Sequence, residues 1–241
     1  MNPFRKLFRG QRSSGTFRKR YELINHFIER GGYGAYLEIG ISTGRLIERV
    51  RCERRVGVDP HPKVEPRGWT LHRTTSDAFF LRNRERFDIV FIDGLHLAEQ
   101  VLRDIAASLR ALEPGGVILL HDCSPRSAAA QLREGRPERG ETWNGDVWKA
   151  IVCAREMWSD LFCRVIDADE GIGIIVPRDA EPPPQYGPHE EKRAERRIGE
   201  LSWEDLERGR EALLGLLPPE RRAIDEALQG VWRHAAAAAA P

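Results

Sequence analysis

Short apolar runs alternate with amphipathic stretches along residues 21–180. Brief apolar runs that are bounded by turn residues predict buried strands, whereas apolar positions that recur every three to four residues predict helices. The strand-like runs are AYLEIG (35–40), RVGVD (55–59), WTLHR (69–73), FDIVFID (87–93), GGVILLHD (115–122), FCRVID (162–167) and GIGIIVP (171–177). The helix-like stretches are 21–30, 43–53, 76–83, 96–112 and 146–158.

This alternation of strands with helical connections is typical of a parallel α/β sheet. The last two strands are separated only by Ala168, Asp169 and Glu170, and so short a link allows only an antiparallel hairpin. We therefore expect an α/β fold: a Rossmann-like, seven-stranded, mostly parallel sheet with a terminal antiparallel hairpin and helices on both faces.

Both ends of the chain differ from this central pattern. Residues 1–20 contain seven basic residues and no acidic one, so the net charge of +1 leaves the other residues with −6. We predict a flexible basic arm over 1–20, the α/β domain over 21–180, and a C-terminal extension over 181–241. The extension opens with the Pro-rich linker EPPPQYGP, continues as helical sequence and ends in a low-complexity alanine tail.

Composition narrows the class of protein. The chain has 241 residues, of which 41% are hydrophobic and 31% charged, which is typical of a globular protein. No run approaches the roughly 20 apolar residues of a membrane span, and the N-terminus has no secretory h-region. The four cysteines lie at irregular spacings without CxxC, which excludes the common zinc patterns. We expect a cytoplasmic protein.

The turn after the first strand contains candidate ligand-binding residues. Glu38 precedes Gly40, and Ser42 and Gly44 follow; glycines here let a ligand approach the backbone. A dinucleotide-binding turn would read GxGxxG, but Ser42 and Arg45 replace its second and third glycines. An acidic residue at position 38 suits a ligand with an ammonium group. The alternative is an ordinary turn between a strand and a helix.

Two further strand ends are candidates for the same ligand. Asp59 follows Glu38 by 21 residues, close to the spacing at which an acidic residue binds ribose hydroxyls. Alternatively, Asp59 and Pro60 form only a surface turn. Ser76 and Asp77 follow the third strand, where they could bind an adenine amino group or simply cap the next helix.

Ionisable residues end two neighbouring strands. Asp93 and His96 follow the fourth strand, and His121 and Asp122 end the fifth. Ligands of open α/β sheets bind beyond such carboxyl ends. Asp93 and Asp122 could hold Mg²⁺ or Mn²⁺, or one histidine could act as a general base. Alternatively, His96 packs at a helix start and His121 lies in the core.

The segment before the last long helix contains two tryptophans. Trp143 and Trp148, with Asp146 and Lys149, could form one wall of a small-molecule site. Alternatively, both tryptophans pack the helix on the sheet as core residues. Asp146 is also a candidate N-cap of this helix.

The motifs EIGISTG, VGVDP, FDIVFIDGLH, LEPGGVILLHDC and GIGIIV occur here in the order found in class I S-adenosylmethionine-dependent methyltransferases. Residues 30–180 resemble this family, and most of all its small bacterial group whose fourth strand ends in Asp-Gly-x-His. The resemblance implies that Glu38, Gly40 and Gly44 surround the methionine moiety. It also implies that Asp59 binds the ribose and that Asp77 lies near the adenine.

The resemblance also bears on a metal ion. Related O-methyltransferases bind magnesium through an aspartate after the fourth strand and polar groups after the fifth, and Asp93 and Asp122 match these positions. The chain departs from the catechol-type enzymes at Cys123, where they have asparagine, and from another branch at His121, where an acid stands. At Ser42 the family often has glycine.

These observations predict an enzyme that methylates a hydroxyl of a small molecule. The expected catalytic residues are Asp93, His96 and His121, and the expected metal ligands are Asp93 and Asp122. The expected cofactor-binding residues are Glu38, Gly40, Ser42, Gly44, Asp59, Ser76, Asp77 and Asp93. The cofactors would be S-adenosylmethionine and, if Asp93 and Asp122 bind a metal, a divalent cation.

Two other functions stay open at this point. One is a nicotinamide-dependent oxidoreductase on a similar sheet, and the other is a non-catalytic protein that binds through its basic arm. Among partners we expect a small-molecule acceptor, with no membrane span and no nucleic acid. A homo-oligomer through the charged helices after residue 190 is possible.

Overall fold

The computed structural model describes residues 15–134, 142–178 and 185–229, in which eight strands form one sheet in the order β3-β2-β1-β4-β5-β7-β6-β8. The strands are β1 (Ala35–Ile39), β2 (Arg54–Val58), β3 (Thr70–His72), β4 (Phe87–Ile92), β5 (Leu112–Leu120), β6 (Leu161–Ile166), β7 (Ile172–Pro177) and β8 (Leu216–Leu217). The helices are α1 (Arg20–Gly31), α2 (Ser76–Arg82), α3 (Ala98–Ala111), α4 (Val147–Met157), α5 (Pro188–Glu200), α6 (Trp203–Leu214) and α7 (Arg221–Ala227).

The sheet confirms the predicted mostly parallel topology with a terminal hairpin. Strands β3, β2, β1, β4 and β5 are parallel, and β7 is antiparallel to both β5 and β6. The number of strands differs from the predicted seven, because β8 pairs parallel with β6. Two residues from the predicted extension form this eighth strand, and so short a segment has no periodicity that the sequence could reveal.

The register of the parallel strands sets the position of a site. Ile39 at the end of β1 pairs with Val58 of β2 and Ile92 of β4, and Ile92 pairs with Leu120 of β5. The four carboxyl ends are therefore level, and the residues that follow them lie at one edge of the sheet. A ligand binds at this edge in open α/β folds.

The predicted helix over 43–53 is wrong except for one 3₁₀ turn, Ile47–Arg49. Two side chains bind the backbone carbonyls that would continue the helix. The Arg55 guanidinium donates to Ile47 O (3.0 Å), and Asn25 Nδ2 donates to Arg49 O (3.0 Å). These bonds from elsewhere in the chain replace helical N–H donors, and the segment turns towards β2.

Strand β5 begins earlier than predicted. Leu112 already pairs with Phe87 of β4, and the register shifts before Ile89 pairs with Val117. Residues 113–116 therefore form an irregularity within the strand, because β5 has more residues than β4 between the paired positions.

Both faces of the sheet are buried, as a parallel sheet requires. Val90 and Ile92 of β4 face a core that α3, α4, α5 and α6 complete. The alternate residues Ile89 and Phe91 face a second core against α1 and α7.

The predicted C-terminal extension packs on the domain. Its apolar residues Ala194, Ile198, Leu201, Leu206 and Leu214 are buried in the core that contains α3 and α4. Side chains of α4 bind the carboxyl ends of the added helices: Lys149 Nζ donates to Ile198 O (3.0 Å), and Arg155 Nη1 donates to Ala212 O (2.9 Å). Lys149 thus faces α5, and it does not form a substrate wall.

The end of the predicted basic arm also packs on the body. Residues 15–20, here called the N-terminal strap, run beside the chain just before α7. Phe17 N donates to Pro219 O (2.8 Å), Arg221 N donates to Gly15 O (2.6 Å), and Phe17 is buried. The strap then leads into α1 at Arg20, so these six residues do not form a flexible arm. The remainder of the predicted arm, residues 1–14, lies outside the described residues, as do the Pro-rich linker up to residue 184 and the alanine tail.

No helix within the described ranges is both long and apolar enough to cross a membrane. Self-association through the helices after residue 190 stays a prediction.

Candidate active site

A cleft of about 1200 Å³ lies at the carboxyl ends of β1, β2, β4 and β5. Ten of the residues that the sequence singles out line it: Glu38, Gly40, Ser42, Asp59, Ser76, Asp77, Asp93, His96, His121 and Asp122. Gly44 does not line the cleft; it lies beside Val64 with a positive φ of 73°. Gly44 therefore contributes to the conformation of the turn and does not contact a ligand in the cleft.

The turn after β1 needs glycine at position 40. Gly40 has φ of +90°, and a Cβ there would overlap the carbonyl oxygen of Asp93. Ser42 also has a positive φ, of 48°, which costs a residue with a Cβ some conformational energy. The loop is therefore held in a conformation that Ser42 alone would disfavour.

Asp59 supplies this constraint. Its Oδ2 accepts the backbone N–H groups of Ile41 (3.0 Å) and Ser42 (2.8 Å), and its Oδ1 accepts the N–H of His61 (2.7 Å). Asp59 therefore makes the surface turn that the sequence allowed and also organises the loop after β1. It lines the cleft as well, so the predicted role in binding a diol is geometrically open to it.

Glu38 is almost completely buried beneath this turn. Its Oε2 accepts the hydroxyl proton of Tyr36 (2.6 Å). Burial in this low-dielectric position raises the pKa of Glu38 to about 8. At neutral pH the carboxyl is mostly protonated, and a nearby ammonium group would favour its ionised form.

A polar cluster forms the opposite end of the cleft. Thr75 caps α2 with its hydroxyl, which leaves Ser76 and Asp77 free of that role. Both accept a hydrogen bond from Gln100 Nε2, at 3.2 and 3.3 Å. Gln100 also donates to Asp104 (3.0 Å), a buried carboxyl whose pKa burial raises to about 6. The sequence pattern does not single out Gln100 or Asp104; its only signal is an acidic residue on the apolar face of α3.

Two carboxylates and two imidazoles meet at the ends of β4 and β5. His121 lies between the carboxylates, with its Nδ1 3.4 Å from Asp93 Oδ1 and 3.0 Å from Asp122 Oδ1. His96 lies above them, with Nε2 3.6 Å from Asp93 Oδ1 and Nδ1 3.4 Å from Asp122 Oδ2. Asn144 Nδ2 donates to Asp122 Oδ1 (2.6 Å). Asp122 has a positive φ of 63°, a strained conformation that is common where a side chain is aimed at a site.

These contacts set the charge of His121. Burial by itself would lower its pKa, but the carboxylates of Asp93 and Asp122 outweigh burial and raise the pKa to about 10. The pKa of Asp93 is held below its usual range, because His121, His96 and Arg20 outweigh burial. At neutral pH His121 is therefore a fixed cation, and it is a poor candidate for a general base.

His96 has a different environment. Its ring stacks on Trp143 with centroids 4.9 Å apart, and its Nδ1 lies 3.2 Å from Trp143 O. Because a carbonyl oxygen only accepts, this contact favours a proton on Nδ1 and leaves the Nε2 lone pair on the side of Asp93. Burial opposes protonation, but Asp93 and Asp122 raise the pKa of His96. Its side chain is 19% exposed, so a ligand in the cleft can reach it.

The two tryptophans have separate roles. Trp143 lines the cleft beside His96 and donates from Nε1 to Leu132 O (2.6 Å). Trp148 is fully buried in the core against α3, as the alternative interpretation expected. Asp146 does not cap its own helix; its Oδ1 accepts the N–H of Ala98 (2.8 Å) at the start of α3.

Arg20 is a further residue of the cleft that the sequence pattern does not single out. Its backbone N and Nε donate to Asp169 Oδ2 (3.0 and 2.9 Å), and its Nη1 donates to Asp93 Oδ2 (2.7 Å). Asp169 lies in the turn of the β6–β7 hairpin. Nothing in the sequence distinguishes Arg20 from the six other basic residues of the predicted arm.

The donors for a divalent cation fit in type but not in charge. One ligand atom each from Asp93, His96 and Asp122 lie within 4.8 Å of one another, a set that suits Mg²⁺ or Mn²⁺. However, the guanidinium of Arg20 lies against Asp93, and the imidazolium of His121 lies against both Asp93 and Asp122. A divalent cation at these carboxylates would therefore stand beside two positive charges. Cys123 is buried in the core and is not part of this set.

Comparisons with known proteins agree with this architecture. Residues 37–123 match the model of a family described as a methyltransferase domain. The SAH-bound methyltransferase PaMTH1 of Podospora anserina superposes with a TM-score of 0.50 at 17% identity, over 66% of this chain and 78% of that one. The O-methyltransferase TomG of Streptomyces achromogenes, in complex with SAM, gives a TM-score of 0.49 at 14% identity, over 66% and 79%. No curated sequence matches the chain. The structural likeness to PaMTH1 shows a shared fold.

Proposed function

We propose that the chain is a class I S-adenosylmethionine-dependent methyltransferase that methylates a hydroxyl group of a small molecule. The match of residues 37–123 to a methyltransferase domain supports this. The observation that carries this proposal is the position of His96. Its Nε2 lies at the exposed edge of the carboxylate cluster, 3.6 Å from Asp93, inside the cleft that the cofactor must share with the acceptor.

We place the cofactor along the edge formed by β1, β2 and α2. The turn over residues 40–44 allows close approach to the methionine moiety, and the buried carboxyl of Glu38 suits its ammonium group. Asp59 would bind the ribose hydroxyls while it holds the loop. Ser76 and Asp77, oriented by Gln100, would meet the adenine. This placement directs the sulfonium methyl group towards the ends of β4 and β5.

The chemistry then needs an aligned, deprotonated acceptor oxygen. In the proposed step His96 Nε2 accepts the hydroxyl proton while the oxygen attacks the methyl carbon. The new C–O bond forms as the C–S bond breaks, and the products are a methyl ether and S-adenosylhomocysteine. The proton ends on His96, where the carboxylate of Asp93 stabilises the imidazolium.

Asp93 and His121 would act differently from the base. His121, protonated because of its two carboxylate neighbours, supplies a fixed positive charge that orients Asp93 and Asp122. Asp93 accepts a hydrogen bond from Arg20, and its carboxylate lies 3.6 Å from His96 Nε2, where it stabilises the imidazolium after proton transfer. No step of this mechanism runs through a metal ion.

The test is transfer of a labelled methyl group from S-adenosylmethionine to a panel of phenols, sugars and amines. We expect transfer to hydroxyls, and we expect His96→Asn to lower kcat by about 10²- to 10⁴-fold, the usual contribution of a general base. His189→Asn is the matched control, because His189 is exposed and lies outside the cleft. Transfer confined to amines, or an unchanged kcat in His96→Asn, would contradict the proposal.

The two other functions have less support. For the oxidoreductase, the turn after β1 lacks the second and third glycines of a dinucleotide site. Calorimetric titration with S-adenosylhomocysteine and with NADH separates the two enzymes, and we expect only the former to bind. A non-catalytic binding function would not explain why ionisable residues cluster in the cleft.

We propose a cytoplasmic location, which the four free, buried cysteines support.

A further inference from the structure

The N-terminal strap brings a cation into the cleft. Arg20 Nη1 lies 2.7 Å from Asp93 Oδ2, and its Nε lies 2.9 Å from Asp169 Oδ2. The Arg20 side chain is 27% exposed and that of Asp93 is 21% exposed, so the pair is shielded from bulk water. An ion pair with this geometry is stronger than an exposed one, because solvent screens it less.

This contact occupies one oxygen of a carboxylate that could otherwise ligate a metal. Asp93 is one of the three residues whose donor atoms cluster closely enough for a divalent cation. A cation at Asp93, His96 and Asp122 would stand beside the guanidinium, and the two positive charges would repel each other. Arg20 and a metal ion therefore compete for the same carboxylate.

We propose that Arg20 is the resident cation of this site: it neutralises and orients Asp93, and it excludes a divalent ion from the cluster of Asp93, His96 and Asp122. Arg20 is a positioning residue, because it acts on the acceptor through Asp93 and His96. The inference rests on the proposed function for the identity of the acceptor site, but the charge competition does not depend on which substrate binds.

The C-terminal segment before α7 holds Arg20 in place. Phe17 N donates to Pro219 O (2.8 Å). The Arg221 guanidinium lies over the buried Phe17 ring, with its Cζ 5.3 Å from the ring centroid. Thr16 pairs with Glu220 as an isolated antiparallel bridge. The strap is thus fixed three residues before Arg20, and a part of the chain more than 120 residues from Asp93 in sequence helps to build the site.

The test is Mn²⁺ binding, followed by the electron paramagnetic resonance signal of the free ion, without cofactor or acceptor. We expect weak binding to the wild-type chain. In Arg20→Ala we expect an affinity higher by about tenfold or more, the scale of one charge-assisted hydrogen bond. Arg18→Ala is the matched control, because Arg18 is exposed in the same strap and does not line the cleft. Arg20→Lys keeps the charge and should keep Mn²⁺ binding weak.

Equal Mn²⁺ affinity in the wild type and in Arg20→Ala would overturn the proposal, and so would tight binding to the wild type. S-adenosylhomocysteine titration of each variant shows whether the cleft is intact. If Arg20→Ala does not fold, Phe17→Ala provides the second variant; it should also tighten Mn²⁺ binding, because it loosens the strap. Failure of methyl transfer to any hydroxyl would contradict the proposed function and leave these binding results as they stand.

Discussion

Asp59 shows how one side chain can serve structure and ligand at once. Its carboxylate accepts three backbone N–H groups and fixes the loop in which Ser42 has a positive φ. From the sequence, Asp59 could either bind a ribose or form only a surface turn. The structure shows that its carboxylate forms the turn, and that the side chain also lines the cleft. The pattern of residues could not decide this, because both roles need the same carboxylate at the same strand end.

Glu38 makes cofactor binding depend on pH. Its pKa is about 8, so at pH 7 about a tenth of the free enzyme carries the ionised carboxylate. An ammonium group favours the ionised form, and binding at lower pH must therefore release a proton. We expect the affinity for S-adenosylhomocysteine to rise roughly tenfold between pH 7 and 8.5, measured by calorimetry. The affinity should be nearly independent of pH in Glu38→Gln; a flat profile in the wild type would contradict this role.

At the scale of elements, level strand ends assemble the site. The run FDIVFID predicted β4 and placed Asp93 after it, and the next apolar run did the same for His121 and Asp122. Their proximity follows from the parallel register, which the sequence indicates through the helical connections. The predicted helix over 43–53 does not form, because side chains from outside it bind the backbone carbonyls of its last turns. Asn25 belongs to α1 and Arg55 to β2.

Helix α3 starts on a side chain from another element. Its own N-cap residue, Leu97, offers no acceptor, and Asp146 accepts the N–H of Ala98 while Arg133 pairs with the other carboxylate oxygen (2.9 Å). Loss of this buried acceptor leaves the N–H of Ala98 unsatisfied, whereas Arg133 keeps its hydrogen bonds to Glu99. We expect Asp146→Ala to lower the free energy of unfolding by about 1–3 kcal/mol in urea denaturation.

The conservative variant is the control for this cap. Asp146→Asn keeps an oxygen that can accept the N–H of Ala98, so its free energy of unfolding should lie between those of Asp146→Ala and the wild type. If the side chain only filled space, Asp146→Asn would be as stable as the wild type. Equal stability of Asp146→Ala and the wild type would show that α3 does not depend on this contact.

At the scale of the whole molecule, we predict that the C-terminal helices unfold together with the domain. The Pro-rich linker predicted a separate extension, but β8 continues the sheet and the apolar faces of α5 and α6 complete a core shared with α3 and α4. The sequence of these helices did not indicate this packing, because most of their residues are charged and only a narrow stripe of each helix is apolar. The strap then connects the last helix to the cleft.

Leu206 tests this unity. It is fully buried between α6 and the body, so Leu206→Ala should lower the free energy of unfolding by about 2–5 kcal/mol. If the chain is one unit, the variant unfolds in a single transition that is shifted as a whole, measured by circular dichroism and by tryptophan fluorescence. Non-coincident transitions would indicate that the extension unfolds separately. Arg193→Ala serves as the control, because the Arg193 side chain on α5 is exposed.

The sequence by itself determined the parallel sheet, its terminal hairpin and ten of the residues that line the cleft. These features depend on local signals: strand-length apolar runs, helical periods, and polar residues directly after strands. Only the tertiary structure decided the charge state of His121, the protonation of Glu38, the place of Arg20 and the integration of the C-terminal helices. Each of these depends on burial and on partners distant in the chain, and spacing along a sequence does not specify which side chains meet.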